Sequence, residues 1–444
     1  MTTVEQAPGT GVPRARIAMA SMVGTTIEFY DFYSYATAAV LVFPQLFFPK
    51  GNPTTALLAS LATFGLAFVA RPLGSIIFGH FGDRLGRKAT LVASLLVMGF
   101  ATFVIGALPT YHQVGLLAPA LLALMRFTQG LALGGEWSGA ALLATETAAP
   151  ERRGWAAMWP QLGAPVGFLI ANGTFLVLIS VLGGPKGAFL SWGWRIPFLL
   201  SAIMVAFGLY VRLRLAETPV FARAADRGER VKAPLAQLFR HHWYQLTVGT
   251  FAVVGIFSLF YIVTTWALGY GIAPTGVGLG FSYVEFLELQ LISVLFFAAT
   301  VPFTGKLIDR FGRRPVLLLT SVAVIAYGTS FALFLAPAHA SRASVCAFLV
   351  IGMSLTGFAY GPLGAVLPEL FPTNVRYTGS GVAFNVAGIL GAAVAPFIAT
   401  WLTAHYGVAY VGRYLIAMVS LTLVAQLAMK ETRAVPLDSA DGTR

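Results

Sequence analysis

The sequence predicts an all-α integral membrane protein with twelve transmembrane helices in two six-helix repeats. Of its 444 residues, 57% are hydrophobic and 10% charged, where a soluble domain carries about a quarter charged residues. A soluble core of this length could not hide so much apolar surface, whereas lipid accepts it. The second observation is an internal repeat. GHFGDRLGRK at Gly79–Lys88 returns in altered form as GKLIDRFGRR at Gly305–Arg314, so that 226 positions separate Asp83 from Asp309 and Arg87 from Arg313. Glu146 and Arg153 return 223 positions later as Glu369 and Arg376. A duplicated membrane bundle is an arrangement that rocks one half against the other.

Apolar stretches bounded by Pro, Gly or basic clusters place the spans at 17–43, 56–79, 89–108, 115–145, 155–181 and 194–213 in the first half. Those of the second half fall at 245–270, 287–306, 315–336, 343–367, 377–402 and 408–429. This divides the chain into an N-terminal segment 1–16, a six-helix bundle 17–214, a linker 215–243, a second bundle 244–430 and a tail 431–444. Within the linker a short surface helix is expected over Ala216–Ala233, and Thr432–Arg444 reads as a disordered polar tail. An even span count puts both termini on one side. Of the 29 Lys and Arg, 22 fall on that side, five (Lys50, Lys186, Arg195, Arg342, Arg413) on the other, and Arg71 and Arg126 within spans. The bias places both termini in the cytoplasm and explains the net charge of +12 without a nucleic-acid partner. The first apolar stretch is too long and too acidic for a cleavable signal. A single cysteine, Cys346, excludes an intrachain disulfide and a cysteine-built metal site. His241 and His242 lack partners at metal-ligand spacing, so no metal is expected; no Walker loop is present, so ATP drive is not expected, and no motif supports an enzymatic activity.

The run Gly79-x-x-x-Asp83-Arg84-x-Gly86-Arg87-Lys88, its copy at Gly305–Arg314, and Arg126-x-x-Gln129-Gly130 resemble the motifs of the major facilitator superfamily over about residues 15–430. Within it, Glu28-Phe29-Tyr30-Asp31-Phe32, Arg71-Pro72-Leu73-Gly74, Gly134-Gly135-Glu136, Trp192–Phe198 and Glu217-Thr218-Pro219 look like the metabolite:proton symporter family. That resemblance implies uptake of a small metabolite together with protons, as by permeases for 2-oxoglutarate, citrate, shikimate and proline/betaine. It further implies a monomeric multi-pass protein of the bacterial inner membrane, with no cofactor beyond the coupling proton and with lipid as its surroundings.

A carboxylate at the end of a helix is unfavourable against the helix's own negative terminus. Asp83 and Asp309 therefore need an offset from a nearby arginine or from the positive N-terminus of another helix. The resemblance implies the latter, with the eleventh helix as partner of Asp83, in a latch that closes the cytoplasmic side. Gly79, Asp83, Arg84, Gly86, Arg87, Asp309, Arg310, Arg313, Glu146, Arg153, Glu369 and Arg376 are the latch candidates.

Charges at bilayer depth cost several kcal/mol unless paired or hydrated. At about 1.5 Å per residue, Arg71 lies roughly 18 Å from Asp83, Glu136 roughly 15 Å from Glu146, and Glu28 and Asp31 roughly 16–21 Å deep on one helix face. Three acids sharing one arginine cannot all be ionised and paired, so Asp31, Glu28 and Glu136 are the proton-coupling candidates. Arg71 stays charged and can grip a carboxylate in fork geometry, or balance an acid. Arg126, about 30 Å from Glu146, is expected near the outer mouth, where it steers anions inward. No matching charge occurs in the second half, which is expected to supply an aromatic and polar cavity wall that includes Tyr261, Thr264, Thr265, Trp266, Tyr360 and Asn385, joined by Gln161 and Asn172 from the fifth span. Together Arg71, Arg126, Gln161, Tyr261 and Asn385 form the substrate-binding set, with an anionic metabolite as the leading substrate. Other readings stay open: a zwitterion symporter, a proton-driven exporter (although Gly163-Ala164-Pro165-Val166-Gly167-Phe168 departs from the exporter pattern in the fifth helix) and, more remotely, a transporter-like sensor.

Overall fold

The computed structural model describes residues 14–49, 53–85, 87–213, 234–338, 340–372 and 375–433, with the side chains of 14–17, 53–54, 79–88, 234 and 236 outside that set. The first half contains α1 (Arg14–Leu41), α2 (Pro53–Leu85), α3 (Arg87–Ala107), α4 (Leu117–Leu133 and Glu136–Glu146), α5 (Arg153–Val181) and α6 (Ile196–Leu213). The second contains α7 (Trp243–Tyr261, Ile262–Trp266, Ala267–Ile272), α8 (Tyr283–Phe311), α9 (Arg313–Thr329, Phe331–Leu335), α10 (Arg342–Tyr360 and Leu363–Glu369), α11 (Arg376–Gly388, Ile389–Ala393, Ala395–Tyr406) and α12 (Val408–Ala428). Ten of these are long and apolar enough to cross a membrane, and α1 and α9 complete the twelve expected from the repeat. The surface helix expected in the linker over 216–233 lies outside the described residues.

Two helices run past the ends that hydropathy gave them. Charges end the apolar signal of α2 and α8 at 79 and 306, yet the backbone ladder continues to Leu85 and Phe311. In α8 the stop comes from Gly312, whose φ of 98° reverses the chain at little steric cost. Asp309 therefore occupies the last turn of a helix rather than a loop.

Five spans are interrupted, α9 only briefly at Ser330. α4 breaks at Gly134–Gly135 and α10 at Gly361–Pro362, within about one helical turn of equivalent places in the two repeats. α7 and α11 each carry one π-helical turn, at Ile262–Trp266 and Ile389–Ala393. Interrupted helices expose backbone groups that must find partners inside a membrane. Here they find them: the Thr264 carbonyl accepts the Gln290 side-chain amide at 2.7 Å, the Tyr360 carbonyl accepts that of Gln161 at 2.9 Å, and the Gly134 carbonyl accepts that of Asn385 at 3.0 Å.

Glycine sets the tightest approaches. A Cβ at Gly130 would strike the Ala67 carbonyl, and one at Gly74 the Leu131 carbonyl, so α2 and α4 meet backbone to backbone. The two halves also touch directly. A Cβ at Gly364 of α10 would come within 2.8 Å of the Ala157 carbonyl of α5.

The start of the tail is ordered, contrary to the sequence expectation. Thr432 is buried and donates to Glu369 at 2.6 Å, while the Arg433 guanidinium donates to the Arg310 carbonyl at 2.7 Å. Glu431 caps α9 by accepting the N–H groups of Arg313 and Arg314, each at 2.9 Å. This capping requires an ordered backbone after α12, which composition alone does not reveal.

Candidate functional site

Glu28 and Asp31, one helical turn apart on α1, are both buried, as are Arg71 of α2 and Arg126 and Glu136 of α4. Their partners change the charge inventory. Arg212, at the end of α6, is buried and ion-paired with Glu136. Its guanidinium also donates to the Leu91 carbonyl of α3. Sequence reading counted Arg212 among the charges of the cytoplasmic side, because it stands in the last turn of its span. The buried set is therefore three acids and three arginines, not three acids and one. A long side chain at a helix end can fold back along the bundle, and α6 uses this freedom.

Arg126 is the second correction. It is fully buried rather than at an outer mouth. Its guanidinium carbon lies 4.5 Å from the centre of the Phe32 ring, 4.0 Å from Tyr35 and 5.1 Å from Phe64. The α4 span of 30 residues is longer than a bilayer requires, so a residue nine positions from its far end is still inside.

From Arg126 a hydrogen-bonded chain leads to Asp31. Arg126 Nη1 donates to Gln129 Oε1 at 3.0 Å, Gln129 Nε2 donates to Thr102 Oγ1 at 2.6 Å, and Thr102 Oγ1 donates to Asp31 Oδ2 at 3.0 Å. The Thr102 hydroxyl also lies 3.0 Å from the Met98 carbonyl. Among the described residues, Nε and Nη2 of Arg126, Oδ1 of Asp31, Oε2 of Glu28 and Nε of Arg71 have no hydrogen-bond partner. Arg71 stacks on Phe32 and Phe68, with its guanidinium carbon 4.8 and 4.6 Å from the ring centres. Phe32, Phe64 and Phe68 pack in turn on Tyr261 of α7, at 5.5–6.2 Å between centroids.

Two small cavities lie between the halves, each of about 20 Å³, room for about one water. One is walled by rings, including Phe29, Phe260, Tyr261, Phe297 and Tyr360. The other is polar and uncharged, with Thr37, Asn172, Thr264, Thr265 and Gln290. Tyr33 forms part of both walls. Tyr261, Thr264, Thr265, Tyr360 and Asn172 thus line the space between the halves. Trp266 does not; its indole N–H donates to Thr403 at 3.1 Å. Gln161 and Asn385 serve contacts between halves instead: Gln161 reaches Tyr360, and Asn385 donates to Ser75 at 2.6 Å as well as to Gly134.

Those contacts belong to a broad closure on the side of the motif loops. Asp309 Oδ1 and Oδ2 accept the N–H groups of Gly154 and Trp155 at 2.8 and 2.9 Å. Tyr377 donates to the Gly135 carbonyl, and Trp137 stacks on Phe384 with 3.8 Å between centroids. Arg313 grips Glu369 through Nε and Nη2, each at 3.0 Å, and adds Asp309 at 3.3 Å. Arg376 instead donates to the carbonyls of Pro368 and Phe371, and Arg310 lies exposed over Phe311. Arg153 is buried and Glu146 half-buried. Gly79, Asp83, Arg84, Gly86 and Arg87 lie outside the described side chains.

Fold and buried charge can be set beside known proteins. The profile of the Major Facilitator Superfamily matches residues 22–396. The chain belongs to the major facilitator superfamily. Among curated relatives, the inner membrane metabolite transport protein YhjE of Escherichia coli strain K12 is 53% identical over 420 residues, which is 95% of each chain. The shikimate transporter of the same strain is 35% identical, over 94% of this chain and 95% of its own. A proline/betaine transporter of Salmonella typhimurium is 32% identical, over 97% of this chain and 86% of its own. Among solved structures, the proton:xylose symporter XylE bound to 6-bromo-6-deoxy-D-glucose superposes with a TM-score of 0.73, covering 96% and 98% of the two chains. At 15% identity that likeness concerns the fold. The chain is accordingly a multi-pass membrane transporter of this superfamily, in line with its resemblance to the metabolite:proton symporters.

Sequence reasoning missed Thr102 and Arg212. A lone threonine in an apolar span looks like any packing residue, and an arginine at a span boundary looks like a topology signal. Gln129 stood in a quoted motif without a role. Its amide matters only because α3 brings Thr102 opposite it.

Proposed function

We propose that this transporter is a proton-coupled symporter of a small carboxylate, working by alternating access with both termini in the cytoplasm. The chain Arg126–Gln129–Thr102–Asp31 carries this reading. At one end is a buried guanidinium with its Nε/Nη2 edge unpartnered, the same edge with which Arg313 holds Glu369. That edge matches a carboxylate in bidentate geometry. At the other end is a carboxyl group whose two protonation states can both be accommodated. When Asp31 is ionised, Thr102 donates to it. When Asp31 is protonated, its O–H donates to Thr102, and the threonine hydroxyl turns to the Met98 carbonyl. Gln129 keeps donating to Thr102 in either case, so a proton can arrive or leave without orphaning a buried group.

Substrate reaches the Arg126 edge when the Phe32–Phe64–Phe68–Tyr261 rings part. Arg71, on the other side of Phe32, is the second cation available to the anion or to Glu28. Glu136, already paired with Arg212, acts as a fixed counter-ion. One proton and one carboxylate bound together leave the net charge of these three acids and three arginines unchanged, so reorientation of the loaded site adds no bare charge to the bilayer. Closure at Asp309 is one end state of that movement, and the remaining motif residues extend the latch. Each chain holds a complete set of these groups, consistent with action as a monomer.

One observation favours a second reading. The ring-walled cavity has the lining of the aromatic cages that hold quaternary ammonium groups; once widened by movement of the halves, it would take the cation of a zwitterion, with the carboxylate toward Arg71 or Arg126. Uptake into proteoliposomes, with and without an inward proton gradient, separates the readings. Gradient-stimulated uptake of mono- or dicarboxylates supports the first and of betaine-like zwitterions the second. Efflux of hydrophobic cations would overturn both.

A further inference from the structure

At the end of the bundle that carries the motif loops, an open cleft of about 440 Å³ lies between the halves. Its walls are Glu151, Arg152 and Trp155 at the start of α5, and Lys306, Asp309 and Arg310 at the end of α8. Three cations face two acids. Asp309 is already committed to the Gly154 and Trp155 amides and to Arg313. Arg152, Lys306 and Arg310 are exposed, and Lys306 Nζ stands 5.2 Å from the centre of the Trp155 ring.

The surface leading to this cleft is apolar. On α8, Ile292, Phe296 and Phe303 are exposed. At 3.6 residues per turn, positions 292, 296, 303, 306 and 310 fall within about 40° of one line along the helix. One stripe therefore begins as exposed hydrocarbon and ends in Lys306 and Arg310. Across the cleft the half-buried Trp155 and Trp159, one turn apart, offer the amphipathic rings typical of a membrane interface. A hydrocarbon track that ends in paired cations beside an indole matches an acyl chain joined to a phosphate.

We propose that this cleft binds the phosphate headgroup of an anionic phospholipid, with its acyl chain along the α8 stripe. Arg152 belongs to the first half, and Lys306 and Arg310 to the second, so a bound phosphate bridges the halves. When the halves part at this end, the cations separate and the site is dismantled. The lipid thus binds the closed form in preference and shifts the population toward it. Lipid binding itself is independent of the symport reading; only the population shift rests on alternating access.

Native mass spectrometry of purified protein, with phosphatidylglycerol or phosphatidylcholine added, tests the site. Phosphatidylglycerol should be retained over phosphatidylcholine by roughly a hundredfold, at about 1 kcal/mol for each of the basic residues Arg152, Lys306 and Arg310. The double variant Arg152→Gln, Lys306→Gln should lose the preference, and Arg152→Lys, Lys306→Arg should keep it. Equal retention of both lipids, or an unchanged preference in the glutamine variant, overturns the site. Displacement of the lipid by millimolar inorganic phosphate would assign the cleft to a free anion and overturn the lipid. Spin labels at Ala89→Cys and Thr247→Cys, with Cys346→Ser, report the bridge in liposomes. Added phosphatidylglycerol should enlarge the short-distance population of the otherwise native chain and leave that of the double glutamine variant unchanged. Retention of the lipid with no such enlargement would overturn the bridging role.

Discussion

Asp309 Oδ1 accepts the Gly154 N–H at 2.8 Å, joining the last turn of α8 to the first turn of α5 across the two halves. With Oδ2 on Trp155 N–H at 2.9 Å, one carboxylate spans two orphan donors of a helix N-terminus. An acid that is unfavourable at the end of its own helix is favourable at the start of another.

Asp309→Asn keeps the shape but removes the charge. The closed form should lose about 1–2 kcal/mol, the value of a charge at a partly buried helix terminus. Spin-label distances across the motif end should show the open population rising several-fold; an unchanged distribution would remove Asp309 from the latch.

Asp31→Asn should abolish accumulation driven by a proton gradient and leave exchange of substrate between equal pools. Counterflow and gradient-driven uptake on the same proteoliposomes check this. Normal gradient-driven accumulation by the variant would sink the coupling role.

Replacing the fork at Arg126 with a point charge should weaken a carboxylate substrate. Arg126→Lys removes charge-assisted bonds worth about 1.5–3 kcal/mol each, so the half-saturating concentration should rise roughly tenfold or more. Affinity equal to that of the native protein would place the substrate elsewhere, with Arg71 the next residue to vary.

Gly130→Ala should destabilise the bundle by about 1–3 kcal/mol, because its Cβ meets a backbone carbonyl of α2 that cannot turn aside. Gly173→Ala on α5 meets nothing within 4 Å and should be neutral or gain up to about 1 kcal/mol. Thermal unfolding in detergent compares the pair.

Glu431 supplies a pH dependence outside the membrane. Burial alone would raise its carboxyl, but the N–H groups of Arg313, Arg314, Arg433 and Thr432 outweigh it and hold the group below the ordinary value. A depressed folded value means that the unfolded chain binds the proton more readily. The stabilisation is therefore complete above the ordinary carboxylate range, near pH 4.3, and fades as pH falls through the lower folded value. Glu431→Gln should melt lower than the native chain at neutral pH, with the gap closing in acid.

Much of this architecture was legible in residue order. Apolar stretches and charged repeats are local signals, and they marked the twelve spans and the acids and arginines of the first half. Boundaries were less legible, because hydropathy stops where charges begin while helical hydrogen bonds run on, as in α8 beyond 306. Charge balance was not legible at all for Arg212, since a residue at a span end can extend into solvent or fold back onto Glu136.

By itself the sequence determined the membrane environment, the duplication and the burial-prone charges, because composition and spacing are properties of the chain alone. Only the tertiary structure decided which polar groups meet. Gln129 and Thr102 are 27 positions apart, and Asp31 is 71 from Thr102; no periodicity predicts that α1, α3 and α4 align them. The low dielectric of the bundle makes each such meeting costly to omit, so the fold, rather than the list of residues, settles which buried polar groups are paired.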